Sequence, residues 1–131
     1  MIDVENAVFD AVYGAVSSLV PTGCFKSVYV PNPPKFPFAT LMEIDNYTDP
    51  RLRGTAESEE YAVVTYEANV YSLDKPGGRN VMAALDAQML SLGFTRLSMG
   101  SIPNLADSAV FRFTAKYRAA AGHNKVIYRH T

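Results

Sequence analysis

The side chains best suited to catalysis are few, and their spacing does not assemble a reactive group. His123 and His130 are the two histidines, and both fall in the C-terminal tail, a poor platform on which to preorganise a general base. Cys24 is alone and has no histidine near it in sequence, and no Gly-x-Ser-x-Gly occurs, so no nucleophile–base pair is marked. No His or Cys cluster has zinc spacing. Glu57, Glu59 and Glu60 invite a hard cation, but a site of that kind needs ligands at more regular spacing with a turn glycine among them. Gly77 and Gly78 precede a helical segment and could cradle a phosphate, yet the Gly-x-x-x-x-Gly-Lys pattern is missing. The expectation is therefore a protein with no catalytic residue, no cofactor and no metal, one that binds rather than transforms. The chemistry that remains is charge: Arg51, Arg53, Glu57, Glu59 and Glu60 in one polar segment, and Arg112, Lys116 and Arg118 in one strand.

The polar segment, Tyr47 to Glu60, interrupts a hairpin. Phe38 to Asn46 alternates Phe38, Thr40, Met42 and Ile44 against Ala39, Leu41, Glu43 and Asp45. Tyr61 to Ser72 alternates Ala62, Val64, Tyr66, Ala68 and Val70 against Tyr61, Val63, Thr65, Glu67, Asn69 and Tyr71. A period of two predicts antiparallel strands with one buried face. The second face, with Tyr61, Val63 and Tyr71, is apolar enough to predict a further packing surface. Hairpin loops usually take about two to five residues, so a connection this long is either a solvated tip or an arm. As an arm it would offer Tyr47, Asp49, Arg51, Arg53, Glu57, Glu59 and Glu60 to a neighbouring subunit, the arginines making paired contacts to carboxylates.

Two helices are predicted to support this sheet. Residues 2–20 place Val4, Val8, Val12, Ala15, Val16 and Leu19 on one stripe, with Asp3 and Glu5 at the favourable end of the dipole and Pro21-Thr22-Gly23 as the stop. Residues 79–92 place Val81, Ala84, Leu85, Gln88, Met89 and Leu92 on another, closed by Gly93. Asp74 to Gly78 is expected as a turn. A short strand over Phe25–Val30 runs into four prolines within 31–37, which hold the chain extended as a stiff crossover. Phe94–Met99 is expected as a strand, Ile102 to Asp107 as a turn, and Ser108–Ala119 as a strand. In that last strand Ala109, Phe111, Phe113, Ala115 and Tyr117 face inward, and Arg112, Thr114, Lys116 and Arg118 face outward. The outward bases lack interleaved aromatics, which disfavours a nucleic-acid groove. Residues 120–131 form a strand-like tail, with Val126, Tyr128 and Arg129 expected to dock on a neighbour's sheet edge. The fold expected is α+β: one domain over residues 1–119, two helices packed on one face of a mostly antiparallel sheet, and a long protruding β-hairpin.

Composition bounds the function. A chain of 131 residues, 48% hydrophobic and 19% charged, supports one core. Its net charge of -1 hides an asymmetry: residues 1–67 carry ten acids and four bases, and residues 68–131 three acids and eight bases. Such a chain could bind nucleic acid through its basic part or equally pair with copies of itself, acidic region to basic region. A lone cysteine favours a reducing compartment, and the acidic start MIDVENAVFDAV is unlike a signal peptide. No apolar run predicts a membrane span. Without export, the Asn46-Tyr47-Thr48 glycosylation pattern is coincidental.

The order and spacing of certain local features resemble a family. These are Phe36-Pro37-Phe38 leading into a hairpin, its polar tip, Gly78 before the second helix and Leu92-Gly93-Phe94-Thr95-Arg96 after it. Pro103-Asn104-x-x-Asp107 then leads into the strand ending Lys116-Tyr117-Arg118-Ala119. Over roughly Val8 to Ala119 the chain resembles the tail terminator proteins of long-tailed, siphovirus-like bacteriophages, small α+β virion proteins that assemble as hexameric rings. The resemblance implies a structural subunit that caps the tail tube, ends its polymerisation and joins the tail to the head. Its implied partners are its own copies, the tail tube protein, the neck or connector protein and, non-specifically, DNA in the bore. The implied setting is the virion tail or neck, after assembly in the host cytoplasm. A neck or head-completion ring protein, and more distantly a small cytoplasmic ligand-binding α+β protein or enzyme, are the competing readings.

Overall fold

The computed structural model describes residues 2–30, 32–48, 61–103, 109–122 and 126–129. In chain order the elements are α1 (Glu5–Val16), β1 (Phe25–Lys26), β2 (Phe38–Thr48), β3 (Tyr61–Ser72), α2 (Lys75–Leu92), β4 (Thr95–Ile102), β5 (Phe111–Gly122) and β6 (Ile127–Arg129). They form two helices on one face of a six-stranded sheet of order β1-β2-β3-β5-β4, with β6 also pairing β5. All pairings are antiparallel except the short parallel β1–β2 contact, so the α+β class expected from the alternation is the class observed. The β2 and β3 strands of the hairpin pair from Phe38↔Tyr71 to Thr48↔Ala62. Its tip, residues 49–60, lies outside the described residues.

The helix periodicity translates directly into burial. Val8, Val12 and Val16 of α1 are fully buried, and Val81, Met82, Leu85 and Met89 of α2 join them in one core with Leu41, Tyr66, Phe94 and Tyr117. α1 is shorter than the 2–20 stripe: Leu19 is exposed and Val20 takes the inward place, because the chain leaves the helix at Ser17 and turns toward Pro21. α2 begins four residues before the expected 79. Asp74 accepts a hydrogen bond from the Gly77 amide at 3.0 Å, and Pro76 occupies the first turn, where its missing donor costs nothing. Gly78 is therefore helical, and its lack of a side chain lets Phe113 approach; a Cβ there would lie 2.5 Å from Phe113 Cε2. Gly93 ends α2 with a left-handed φ of 107°, as its position after the apolar stripe predicts.

Other boundaries moved for tertiary reasons. β1 keeps only Phe25 and Lys26 of the expected 25–30, opposite Ala39 and Thr40; Val28 and Tyr29 are exposed beyond it. β4 extends to Ile102, expected as the start of a turn, because its register with β5 continues to Ile102↔Arg112. β5 starts at Phe111, not Ser108, so Ala109, expected inward, is an exposed turn residue. At its other end β5 continues past Ala119 to Gly122, with Ala119 and Ala121 in the core. The described part of the tail, 126–129, folds back on its own chain. Ile127, Tyr128 and Arg129 pair with Ala121, Ala120 and Ala119 of their own chain, because three alanines leave β5 a flat, unobstructed edge within reach.

Hydrogen bonds around two buried tyrosines link strand to strand and strand to helix. The Tyr66 hydroxyl donates to Glu43 Oε1 at 3.0 Å, and Asn46 Nδ2 donates to the Ile2 carbonyl at 2.8 Å and to Glu43 Oε2 at 3.4 Å, which anchors the start of α1 on β2. The Tyr117 hydroxyl donates to Asp86 Oδ1 at 2.7 Å, and Arg96 donates to Asp86 Oδ2 at 2.9 Å, which anchors α2 to β5 and β4. Burial raises the proton affinity of both phenols, with the neighbouring carboxylates adding to it, so both remain donors. Burial also lifts the Glu43 carboxyl above its ordinary 4.5; the Tyr66 and Asn46 hydrogen bonds oppose this, and Glu5 and Asp3 reinforce it.

Two measurements check these contacts. In urea unfolding, Gly78→Ala costs about 1–3 kcal/mol by overpacking against Phe113. Gly14→Ala, inside α1 with nothing within 4 Å of the added carbon, gains about 0.5–1 kcal/mol. For Glu43, the folded chain holds the proton more tightly than the unfolded chain. The stabilisation is therefore whole below 4.5 and is lost as pH rises through the raised folded value. The stability of the native chain relative to Glu43→Gln should fall across that window, and a difference that stays flat with pH contradicts the assignment.

Candidate assembly surface

The antiparallel register lays side chains in rows across the sheet face opposite the helices. One row is Phe38, Tyr71, Arg112 and Ile102; the next but one is Met42, Glu67, Lys116 and Ser98; the next is Asp45, Thr65, Arg118 and Thr95; the last is Tyr47, Val63, Ala120 and Tyr128. The three bases expected to form an outward stripe do share this face, but their environments differ. Arg112 donates from Nε to Asn69 Oδ1 at 3.0 Å, and its guanidinium lies 5.6 Å from the centroid of the Tyr71 ring. Asn69 in turn donates to Glu67 Oε1 at 3.1 Å. Lys116 is exposed, opposite Glu67 and Ser98.

Arg118 is half-buried between Thr65 and Thr95. Its Nε, Thr65 Oγ1 and Thr95 Oγ1 are all buried with no hydrogen-bond partner. Leaving a buried polar atom unpaired costs about 1–3 kcal/mol, so three in one cross-strand row mark a strained polar strip.

The apolar patch expected on β3 is not on the surface. Val63 and Tyr71 are buried, and Tyr61 is half-buried with its ring edge-on to Tyr128 at 5.8 Å. A central strand has neighbours on both sides, and here Arg112 and Tyr128 lean over it. The apolar surface lies instead on β4, at the sheet's edge. Every β4 residue after Thr95 is exposed, including Leu97 at 46%, Met99 at 43% and Ile102 at 37%, with Phe111 beside them. The Arg96–Asp86 pair holds the root of the strand to α2, and the residues beyond it are exposed. Sequence reasoning missed this because Leu97, Met99 and Ile102 do not sit on one period-two face. The signal available was Leu97, Met99 and Ile102 in a segment, Thr95–Ile102, with a single charge.

Of the other expected interface residues, Tyr47 is exposed at the end of β2. Asp49, Arg51, Arg53, Glu57, Glu59 and Glu60 lie outside the described residues, as do His123 and His130. Val126 and Tyr128 are exposed, and the Val126 carbonyl accepts from the Gly122 amide at 3.0 Å. Arg129 stands opposite Ala119 in β6. Cys24 is a buried free thiol. Among the described residues no group of His, Cys, Asp or Glu could hold a metal, and no helix is long and apolar enough to cross a membrane.

No known protein family and no curated protein matches the sequence. The two arginines of this sheet face should respond oppositely in chemical denaturation. Arg112→Met loses the Asn69 bond and the Tyr71 contact and lowers the stability of the single chain by about 1–3 kcal/mol. Arg118→Met removes an unpaired buried donor and leaves stability unchanged or higher. An Arg118 variant that loses as much as the Arg112 variant would contradict this account of the row.

Proposed function

We propose that this chain is a structural subunit of a homo-oligomeric ring that caps the tail tube of a long-tailed bacteriophage. It would end tube polymerisation and join the tail to the head-neck connector. The observation that carries the assembly part is β4, an edge strand left exposed on both faces with apolar side chains on it. A lone domain gains nothing from such an edge and risks unwanted pairing through it. The phage setting rests on the resemblance in order and spacing from Phe36-Pro37-Phe38 to Lys116-Tyr117-Arg118-Ala119.

Charge supports the same reading. α1 and its flanks carry Asp3, Glu5 and Asp10 and no base before Lys26, whereas the helix-free sheet face presents Arg112, Lys116 and Arg118. Two unlike surfaces on one chain suit a head-to-tail contact, which closes into a ring when the rotation between copies allows. A neck ring gripping DNA through the basic row has less support. Phosphate binding wants projecting cations, but Arg112 is held by Asn69 and Tyr71 and the Arg118 Nε is buried.

Mass by light scattering, with negative-stain imaging of the chain alone and beside tail tube protein, tests the proposal. Rings are the expected result, and single chains under every condition overturn it. A shortened hairpin separates arm from sheet. Replacing residues 50–60 by Asn-Gly keeps the Thr48↔Ala62 register and should preserve the fold while abolishing ring formation. Rings of normal size from that variant would remove the hairpin tip from the interface.

A further inference from the structure

The sheet ends in two incomplete edges, and they match. On one side, β4 presents eight residues, Thr95–Ile102, paired among the described residues only to β5. On the other side, β1 covers β2 only at Ala39 and Thr40, so no described strand pairs with the outer edge of β2 over 41–48, also eight residues. We infer that β4 of one copy pairs with the outer edge of β2, residues 41–48, in the next copy, so that the sheet runs on from subunit to subunit.

Strand direction favours this partner. β2 is antiparallel to β3, β3 to β5 and β5 to β4, so β2 and β4 run in opposite directions. When a second copy continues the sheet in the same sense, its β2 meets β4 antiparallel and its helices stay on the same side. The helices of neighbouring copies then form one layer over one sheet. β4 also lacks the devices that usually keep an edge from pairing. It has no lysine, no proline and no acid; its single charge, Arg96, is bound to Asp86, and its one register shift lies near the start, between Arg96 and Ser98. The 41–48 edge carries Glu43 and Asp45 and no base, so the two edges do not repel. Leu97, Met99 and Ile102, bare on both faces in the single chain, would gain cover from Met42, Ile44 and Tyr47 of the next copy. Main-chain pairing of this kind gives an interface whose partner is a second copy rather than an unrelated peptide, because both halves are present in one chain at equal length.

This inference deepens the ring reading and is tested separately from it. Hydrogen exchange by mass spectrometry is measured on the full chain, dilute and assembled. The expected result is that segments 41–48 and 95–102 lose their fast-exchanging amides together on assembly, while the β3 amides, already paired on both sides, do not change. Met99→Lys, on the exposed β4 edge, should keep the single-chain fold by circular dichroism and lose the oligomer. A chain that stays single at every concentration overturns both readings. Assembly with protection of 95–102 alone, the mark of a two-fold β4 to β4 contact, or with protection of neither segment, overturns the edge pairing and leaves the ring reading standing.

Discussion

Every residue of β3 from Tyr61 to Ser72 lies opposite one of β5 from Gly122 to Phe111, and the rest of the molecule depends on that uninterrupted register. It sets Tyr66 beside Tyr117 and Ala68 beside Ala115 on the face beneath the helices, and it sets Glu67 beside Lys116 and Thr65 beside Arg118 on the other. A slip of one residue would exchange the two faces completely. The apolar side chains of α1 and α2 would then meet charge. The clean alternation of β5 thus holds the whole sheet in place, and the two helices follow from it.

The polar groups inside the core strengthen the specificity of this arrangement more than its stability. Tyr66 and Tyr117 are the largest buried side chains, and each hydroxyl would be an orphan but for one carboxylate: Glu43 on β2 for the first, Asp86 on α2 for the second. The first pair joins the two strands of the hairpin and the second joins α2 to β5, so the position of α2 is fixed by a directional bond as well as by packing. Gly78 acts in the same sense by steric means, since α2 can approach β5 only where no side chain intervenes before Phe113. The helix layer is therefore well specified, and it stops short: beyond Arg96 the residues of β4 are exposed. Two helices of 12 and 18 residues span the middle of the sheet and not its rim. An exposed rim on a well-packed centre is the arrangement of a building block, in which surface left uncovered in the single chain is covered by the next copy.

Much of this was legible in residue order. Both helices, the four long strands, the inward row Phe113-Ala115-Tyr117 and the α2 stop at Gly93 follow from periodicity and capping chemistry, because those signals are local. The α+β class follows from their order. The start of α2 was hidden by two glycines and a proline that usually signal a turn, and only the Asp74 cap and the close approach of Phe113 explain why they are helical here.

The amino-acid sequence by itself determined which residues alternate, which stretches are helical, and that no motif for catalysis or metal binding is spelled out, since each depends on neighbours a few positions apart. Only the tertiary structure decided which face and which edge remain bare. Val63 and Tyr71 read as exposed apolar residues, yet β3 is central and its neighbours bury them. Leu97 and Met99 read as an ordinary strand and Ile102 as the start of a turn, yet β4 runs through all three and lies at the rim. The tail read as a reach toward a neighbour, yet β6 closes on its own β5. In each case exposure depends on an element's place in the sheet order, and strand order is fixed by contacts between residues distant in the chain, which no local spacing records.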